Sequence, residues 1–377
     1  MRLVVILQLL FLVVNSCQEF WQHWGNVSCT SSADSCYESK NFSSVEILNQ
    51  LLFIKCGEET IDSRLMRCLD VRNVQKILFR NCFLSGINFG IFSFGYGIEH
   101  IKIFYVSNVH ERKFESASFN NMSSLRSVEI ESVKTSELLN LTFHNVSSLT
   151  SLKIDSFKFN LFPNKPFREL INLSELYITY GNLRVLPKDL FYNLHNLTQL
   201  NLSYNKIKSI HPLAFRNLTR LEYLDLEWNR IKNLPGDMLK GLYNLRTLNI
   251  SWNRDLSEIP SGFFKKLHNF TVFSASSCSF SSLEKDVFSD LINLKTVDLV
   301  FSQIQHLPSN LLRNNKLLTR FSCSFNKISA LPTGIFHGLS ELRELELRGN
   351  QTGYKIFPKM FFRICRHCRL SIYHKIA

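Results

Sequence analysis

The chain has 377 residues, of which 45% are hydrophobic, and 44 Lys or Arg against 31 Asp or Glu give it a formal net charge of +13. Length alone predicts two or three globular domains unless the chain is a repeat array, which grows along one axis without splitting. The basic residues are scattered, apart from Lys359, Arg363, Arg366, Arg369 and Lys375, so no compact basic motif points to nucleic acid. The charge fits a solvated surface, or a protein that meets acidic polysaccharide or another acidic ligand.

Residues 1–16 read as a secretory signal. Arg2 supplies the positive flank, and Leu3 to Val14 is apolar apart from Gln8 but too short to span a bilayer. Val14 and Ser16 are small residues placed for cleavage after Ser16. No later run is long and apolar enough to cross a membrane, and no hydrophobic tail suggests a lipid anchor, so a secreted product without a membrane span is expected. Twelve Asn-x-Ser/Thr sequons agree with export: Asn26, Asn41, Asn121, Asn140, Asn145, Asn172, Asn196, Asn201, Asn217, Asn249, Asn269 and Asn350. Each must face solvent if it carries a glycan.

Residues 17–73 form a cysteine-rich N-terminal cap. Cys17, Cys29, Cys36, Cys56, Cys68 and Cys82 make an even set, which in an exported chain reads as a disulfide framework over the first coil. Many connectivities are open. Cys68–Cys82 is an attractive pair, and Cys82 reads equally as a buried thiol at a turn.

From Val74 the pattern L-x-x-L-x-L-x-x-N-x-I/L recurs, starting at Val74, Ile98, Leu125, Leu149, Leu173, Leu197, Leu221, Leu245, Phe270, Leu294, Leu318 and Leu342. The spacing is 24 residues, with 27 once and 25 once, which places twelve units in 74–364. Apolar positions, turn residue and period together resemble the leucine-rich-repeat family. The implied fold is an α/β leucine-rich-repeat solenoid, a curved horseshoe with a parallel concave β-sheet, here with an N-terminal disulfide cap.

The residue types fit that geometry. Alternate side chains of L-x-x-L-x-L share a face, so Leu224 and Leu226 are expected inward and Tyr223, Asp225 and Glu227 outward. Asn205, Asn229, Asn253, Asn326 and Asn350 form a turn ladder, where an amide satisfies backbone groups that the bend leaves unpaired. Leu186-Pro187, Leu234-Pro235, Leu307-Pro308 and Leu331-Pro332 block a regular helix in the return limb. Phe143, Phe167, Phe191, Phe215, Phe288 and Phe336 are expected to stack as a second spine. At about 4.8 Å per strand, twelve units give a sheet roughly 55 Å long. The first five units carry Cys82, Val106, Val133, Phe157 and Gly181 at the Asn position, and are expected to be less regular.

No Gly-rich phosphate loop, H-E-x-x-H or G-x-S-x-G occurs, and the strand carboxylates stand on an open sheet, so neither an enzyme nor a cofactor is expected. Cys278 at an Asn position and Cys323 at an inward Leu position read as buried small hydrophobes. Cys365-x-x-Cys368 lacks a second pair or a nearby His-x-x-His and reads as the remnant of a C-terminal cap rather than a zinc site.

The residue before the turn position is Tyr180, Tyr204, Trp228, Trp252, Ser277, Phe301 and Phe325 in successive units. The six aromatics are expected at the rim of the concave face. They either stack along the solenoid, worth about 0.5–1.5 kcal/mol per pair, or form an apolar anchor strip for a protein partner. Asn201 and Asn249 lie at the outward central position of their strands, and glycans there would move binding towards the N-terminal units or the flank. The outward residues of the first four units are Lys76, Arg80, Lys102, Tyr105, Arg126, Glu129, Glu131, Lys153 and Asp155, candidates for reading a charged protein surface.

FIKC (Phe53–Cys56), Cys68, VQKILFRNCFLSG (Val74–Gly86) and NMSSLRSVEI (Asn121–Ile130) resemble the N-terminal part of a Toll-type receptor ectodomain. The resemblance implies recognition of a Spätzle-type cystine-knot cytokine by the cap and first coils, in innate immune or developmental signalling. Such receptors continue through more coils, a C-terminal cysteine cap, a membrane helix and a signalling domain. This chain ends in RICRHCRLSIYHKIA, and residues 365–377 match no repeat. The expected product is a soluble decoy or carrier, or a truncated ectodomain, with an uncapped last coil open to self-association. The alternative reading is a cell-adhesion or extracellular-matrix interaction protein.

Overall fold

The structure, a computed structural model, describes residues 42–48, 50–56, 60–61, 73–80, 83–84, 97–104, 119–131, 143–157, 162, 165–351 and 369–371. The signal segment, Tyr105, the sequons Asn26, Asn41 and Asn140, and Cys17, Cys29, Cys36, Cys68, Cys82, Cys365 and Cys368 lie outside these residues, and of Cys56 only the backbone is described. The chain divides into two compact units, Met1–Tyr177 and Ile178–Ala377.

In the first unit β1 (Phe42–Leu48) and β2 (Leu51–Cys56) form an antiparallel hairpin, turning at Gln50 with φ 68°. β3 (Thr60–Ile61), β4 (Lys76–Arg80), β5 (Phe83–Leu84), β6 (His100–Phe104), β7 (Ser127–Glu131) and β8 (Ser151–Asp155) follow. β2, β4, β6, β7 and β8 pair in parallel in that order, and β3 pairs with β5 in a short second ladder. Two apolar rows hold this sheet to its core: Leu52, Ile77, Ile101, Val128 and Leu152, then Ile54, Phe79, Ile103, Ile130 and Ile154. All ten are buried, and each side chain of this size gains roughly 1.5–3 kcal/mol from leaving water. The parallel sheet thus begins one rung before Val74, inside the expected cap. β9 (Glu175–Thr179) contains the division between the units.

The second unit adds β10 (Val185–Leu186), β11 (Gln199–Asn201), β12 (Ser209–Ile210), β13 (Tyr223–Asp225), β14 (Thr247–Asn249), β15 (Val272–Ser274), β16 (Thr296–Asp298), β17 (Arg320–Ser322), β18 (Glu344–Glu346) and β19 (Arg369–Ser371). β11 and β13 to β19 pair in parallel in chain order, while β10 pairs with β12. Leu200, Leu224 and Leu248 share one register row, continued by Phe273, Val297, Phe321 and Leu345, and all seven are fully buried. Each of the twelve expected units has its strand. β19 lies within the expected non-repeat tail and pairs with β18, so the strand edge expected to be open at Glu344–Glu346 is occupied.

Among the described residues there is no helix. The α half of the expected α/β class is replaced by turns whose N–H groups reach back three residues, such as Leu218 to Phe215 and Leu221 to Leu218. The Phe spine is present and extends to Phe119 and Phe264; Phe119 stacks on Phe143 at 5.3 Å and Phe191 on Phe215 at 5.9 Å.

The first unit is not the less regular one in its strands. β4, β6, β7 and β8 run for 5 residues, against 3 in β11 and β13 to β18. In β11, β13, β14 and β16 the difference accompanies Asn or Asp; β15, β17 and β18, which carry Ser274, Ser322 and Glu346 there, are equally short. Asn201, Asp225, Asn249 and Asp298 each accept a hydrogen bond from the backbone N–H two residues on, at 2.8 to 3.2 Å, which turns that N–H away from the neighbouring strand. Lys102, Glu129 and Lys153 hold the equivalent position in β6, β7 and β8, and their strands continue. Asp225, at an outward position, is nonetheless only 6% exposed, and the Tyr223 hydroxyl donates to it at 2.8 Å.

Candidate functional site

The strand-face charges of the first unit are largely engaged with one another. Lys102 Nζ lies 2.8 Å from Glu131 and 3.3 Å from Glu129, across the register that sets β6 against β7. Burial pulls the Lys102 amine down, but the hydrogen bond to Glu131 and the two carboxylates outweigh it and hold the pKa above the ordinary lysine value. Burial likewise raises Glu131, and the Lys102 hydrogen bond reverses the sign, leaving the carboxyl below its usual range. Arg126 pairs with Glu99 at 3.2 Å, Lys153 Nζ stands 5.1 Å from the Tyr177 ring, and the Arg80 guanidinium stands 5.6 Å from the Phe104 ring. Asp155 accepts from Ser156, and Lys76 is exposed at the start of β4. The face is a preorganised lattice of mixed charge.

The turn ladder of the second unit is a row of buried amides. Asn229 Nδ2 donates to Leu202 O of the preceding coil and to Leu226 O of its own, both at 3.0 Å, while its Oδ1 accepts from Ile207 N–H. Asn205, Asn253 and Asn326 repeat the scheme. Asn350 does too, donating to Cys323 O and Leu347 O, so the ladder and a glycan compete for that amide. Cys278 and Ser302 interrupt the ladder. The Cys278 thiol lies 3.5 Å from Ile250 O, and burial pushes its pKa up to about 12; Cys323 is buried and raised in the same way.

The aromatic positions beside this ladder share one unusual backbone state. Tyr180, Tyr204, Trp228, Trp252, Ser277, Phe301 and Phe325 all have φ between 50° and 59°, a left-handed conformation that bulky residues seldom adopt. It rotates each side chain out of the strand and onto its neighbour. Tyr180 stacks on Tyr204 at 4.4 Å, Tyr204 on Trp228 at 5.7 Å, Trp228 on Trp252 at 4.2 Å and Phe301 on Phe325 at 4.5 Å, with interplanar angles of 8° to 12°. Ser277 divides the column into four rings and two. At the far end Gly349, φ 65°, lies under Phe325, where a Cβ would fall 2.4 Å from the ring. The spacing of the column was readable in the sequence; the positive φ was not.

The sequons occupy two kinds of position. Asn121, Asn145, Asn172, Asn196, Asn217 and Asn269 stand in the loops before strands; Asn121, Asn145, Asn172 and Asn269 are exposed there. Asn201 and Asn249 stand in β11 and β14, half-buried. Among the described residues no three His, Cys, Asp or Glu converge as metal ligands would, and no helix is long and apolar enough to cross a membrane.

Models of the leucine-rich repeat match residues 171–231, 244–266 and 292–351. No curated protein sequence matches the chain. Among solved structures the chain is similar to a leucine-rich-repeat protein of Leptospira interrogans (19% identity, 83% of this chain and 92% of that one, TM-score 0.52). It is also similar to Toll of Drosophila in the glycosylated Toll–Spätzle complex (16%, 90% and 52%, TM-score 0.65) and to TLR13 in its complex with ssRNA13 (18%, 86% and 54%, TM-score 0.57). At these identities the likeness is one of fold. The chain has the leucine-rich-repeat fold, and the matched stretches carry that repeat. Its stacked coils resemble Toll-type ectodomains, of which it spans about half the length.

Proposed function

We propose that the chain recognises an extracellular protein through the strand face of its first coils, as the ligand-binding part of a Toll-type receptor. The carrying observation is the mixed-charge lattice on β6 and β7, where Lys102, Glu129 and Glu131 hold one another in fixed geometry before any partner arrives. Preorganised charge of both signs selects a partner by complementarity and steers its approach. The cited likeness to Toll in the Toll–Spätzle complex supports a Spätzle-type cystine-knot cytokine as that partner. Export through residues 1–16 puts the chain where such a ligand circulates, and glycans at Asn201 and Asn249 shield the strands of the second unit, which leaves the first unit as the accessible face.

The test is a titration of the secreted, immobilised chain with a Spätzle-type cystine-knot cytokine. Saturable binding is expected, weakened at least tenfold, or about 1.4 kcal/mol, by Glu129→Lys with Glu131→Lys. Lys285→Glu, in a return limb of the second unit, leaves it unchanged. Absence of saturable binding by the folded wild-type chain, or equal binding by the reversal variant, overturns the reading.

A further inference from the structure

The flank that follows the strands of the second unit carries a second pattern beside the aromatic column. After each aromatic residue the chain is extended, and alternate side chains point in and out. Asn205 and Ile207 are buried, while Tyr204 and Lys208 are exposed and Lys206 is half-buried between them. In the next coil Asn229 and Ile231 are buried, and Trp228, Arg230 and Lys232 are exposed. Arg184 stands one coil before and Arg254 one coil after. The coils are bonded edge to edge at this place: Lys206 N–H donates to Leu183 O, Lys208 N–H to Arg184 O, and Arg230 N–H to Ile207 O. Outward positions therefore repeat about every 6.6 Å along a coil and about every 4.8 Å between coils.

This flank holds six cations, Arg184, Lys206, Lys208, Arg230, Lys232 and Arg254. Its acidic groups are few. Asp255 stands 3.6 Å from Lys232. Glu227, on the strand side of Trp228, accepts from Asn249 Nδ2. Among the described residues none of the other five cations is ion-paired, although Arg254 lies 5.2 Å from the Trp252 ring and 5.9 Å from that of Trp228.

We infer that this flank binds a linear sulfated polysaccharide, laid along the stacking direction over Arg184, Lys206, Lys208, Arg230, Lys232 and Arg254. Rows of cations at regular spacing, of which only Lys232 has an ionic partner, fit a polymer whose anions also recur regularly. Arg supplies a planar fork for two sulfate oxygens and Lys a point charge. The rings discriminate between polyanions. Single-stranded nucleic acid is held by bases stacking on exposed aromatic faces, but here both faces of Tyr204 and Trp228 and one face each of Tyr180 and Trp252 are spent on neighbouring rings. What Tyr204 and Trp228, stacked on both faces, leave to solvent is their edges, the positive part of the ring quadrupole, which favours an anion. No sequon falls within 180–184, 204–208, 228–232 or 252–256.

This inference is independent of the cytokine reading, which concerns the first unit. The glycosylated full chain is loaded on immobilised heparin and eluted with salt. One variant carries Lys206→Gln, Lys208→Gln, Arg230→Gln and Lys232→Gln. A control removes the same charge elsewhere with Lys240→Gln, Lys265→Gln, Lys285→Gln and Lys295→Gln. Wild type and control are expected to elute above about 0.15 M salt, where exposed charges are screened beyond about 8 Å, and the flank variant below it. Heparin fragments are expected to change Trp fluorescence in wild type and not in the flank variant, whose circular dichroism stays that of wild type. Failure of wild type to bind, or an equal fall for both variants, overturns the inference, since binding then follows net charge alone. Equal affinity for hyaluronan, which carries carboxylate without sulfate, overturns the sulfate requirement. Flank-dependent binding of single-stranded RNA with no flank-dependent heparin binding makes the flank a nucleic-acid site and also overturns the inference.

Discussion

Asn229 replaces a backbone donor that its own strand has turned away. Glu227 N–H would continue the ladder towards the preceding coil, but the Asp225 carboxylate captures it at 2.8 Å, and Asn229 Nδ2 takes its place on Leu202 O. The carboxylate is a costly way to do this. Burial raises the Asp225 pKa above the ordinary range, although the bonds from Glu227 N–H, Tyr223 and Asn249 pull the other way. A pKa raised by folding means that the folded chain holds the proton more tightly than the unfolded one. The group's favourable contribution is therefore complete below the unfolded value, about 3.9, and is lost as pH rises through the folded value. At neutral pH the buried charge opposes folding. Asn201 and Asn249 fill the same register position and make the same backbone bond without a charge. Asp225→Asn is accordingly expected to raise the melting temperature at pH 7 by roughly 2–4 °C, the shift that about 1 kcal/mol gives in a unit of this size. The gain should vanish below about pH 4. A thermal-melt series across pH checks it; a gain of the same size at every pH would mean that packing, not charge, is responsible.

Strand length and ladder continuity follow from these residues one element at a time. The starts of the strands were legible because two inward apolar residues and a 24-residue period suffice to place them. Their ends were not: in β11, β13, β14 and β16 an outward Asn or Asp captures the next N–H of the ladder, a signal that the apolar pattern does not carry. β2 and β19 were missed for the opposite reason: Leu52 and Ile54 serve as a rung without the leading Leu or the turn Asn of a full repeat. The starts at Ile98 and Leu125 already set Lys102 opposite Glu129, but that its amine also reaches Glu131 is a matter of side-chain geometry that the repeat does not carry. The ladder gap at Ser302 gives a test of the element account. The Ser302 hydroxyl is buried and finds no partner among the described residues. By the pattern of Asn326, which serves Leu299 O, Cys323 O and Ile304 N–H, an Asn at 302 would reach Ala275 O, Leu299 O and Phe280 N–H. Ser302→Asn is expected to stabilise the second unit by about 1 kcal/mol and Asn326→Ala to destabilise it by about 3 kcal/mol. Urea denaturation reads both, and a destabilising Ser302→Asn would show that the gap is filled by packing which the larger amide cannot enter.

At the scale of a whole unit, stacked coils make stability a sum of nearest-neighbour interfaces rather than one shared core. The second unit carries its own reporters of this, because Cys278 and Cys323 stand two coils apart and both thiols are buried. With the Cys278 pKa near 12, its thiolate fraction at pH 8 is on the order of one in ten thousand, so alkylation proceeds mainly through opening of the coil around it. Asn253 sits in the coil just before Cys278, and its amide serves Leu226 O, Ile250 O and Ile231 N–H. Asn253→Ala removes those bonds and should loosen the coils it joins. In dilute urea at pH 8, iodoacetamide labelling of the Cys278 peptide, followed by mass spectrometry, is expected to accelerate at least tenfold in this variant, or about 1.4 kcal/mol of local opening. The Cys323 peptide, protected by coils further along, is expected to change by much less. Equal acceleration at both thiols would mean that the unit opens in a single step, and the coils would then be parts of one cooperative core.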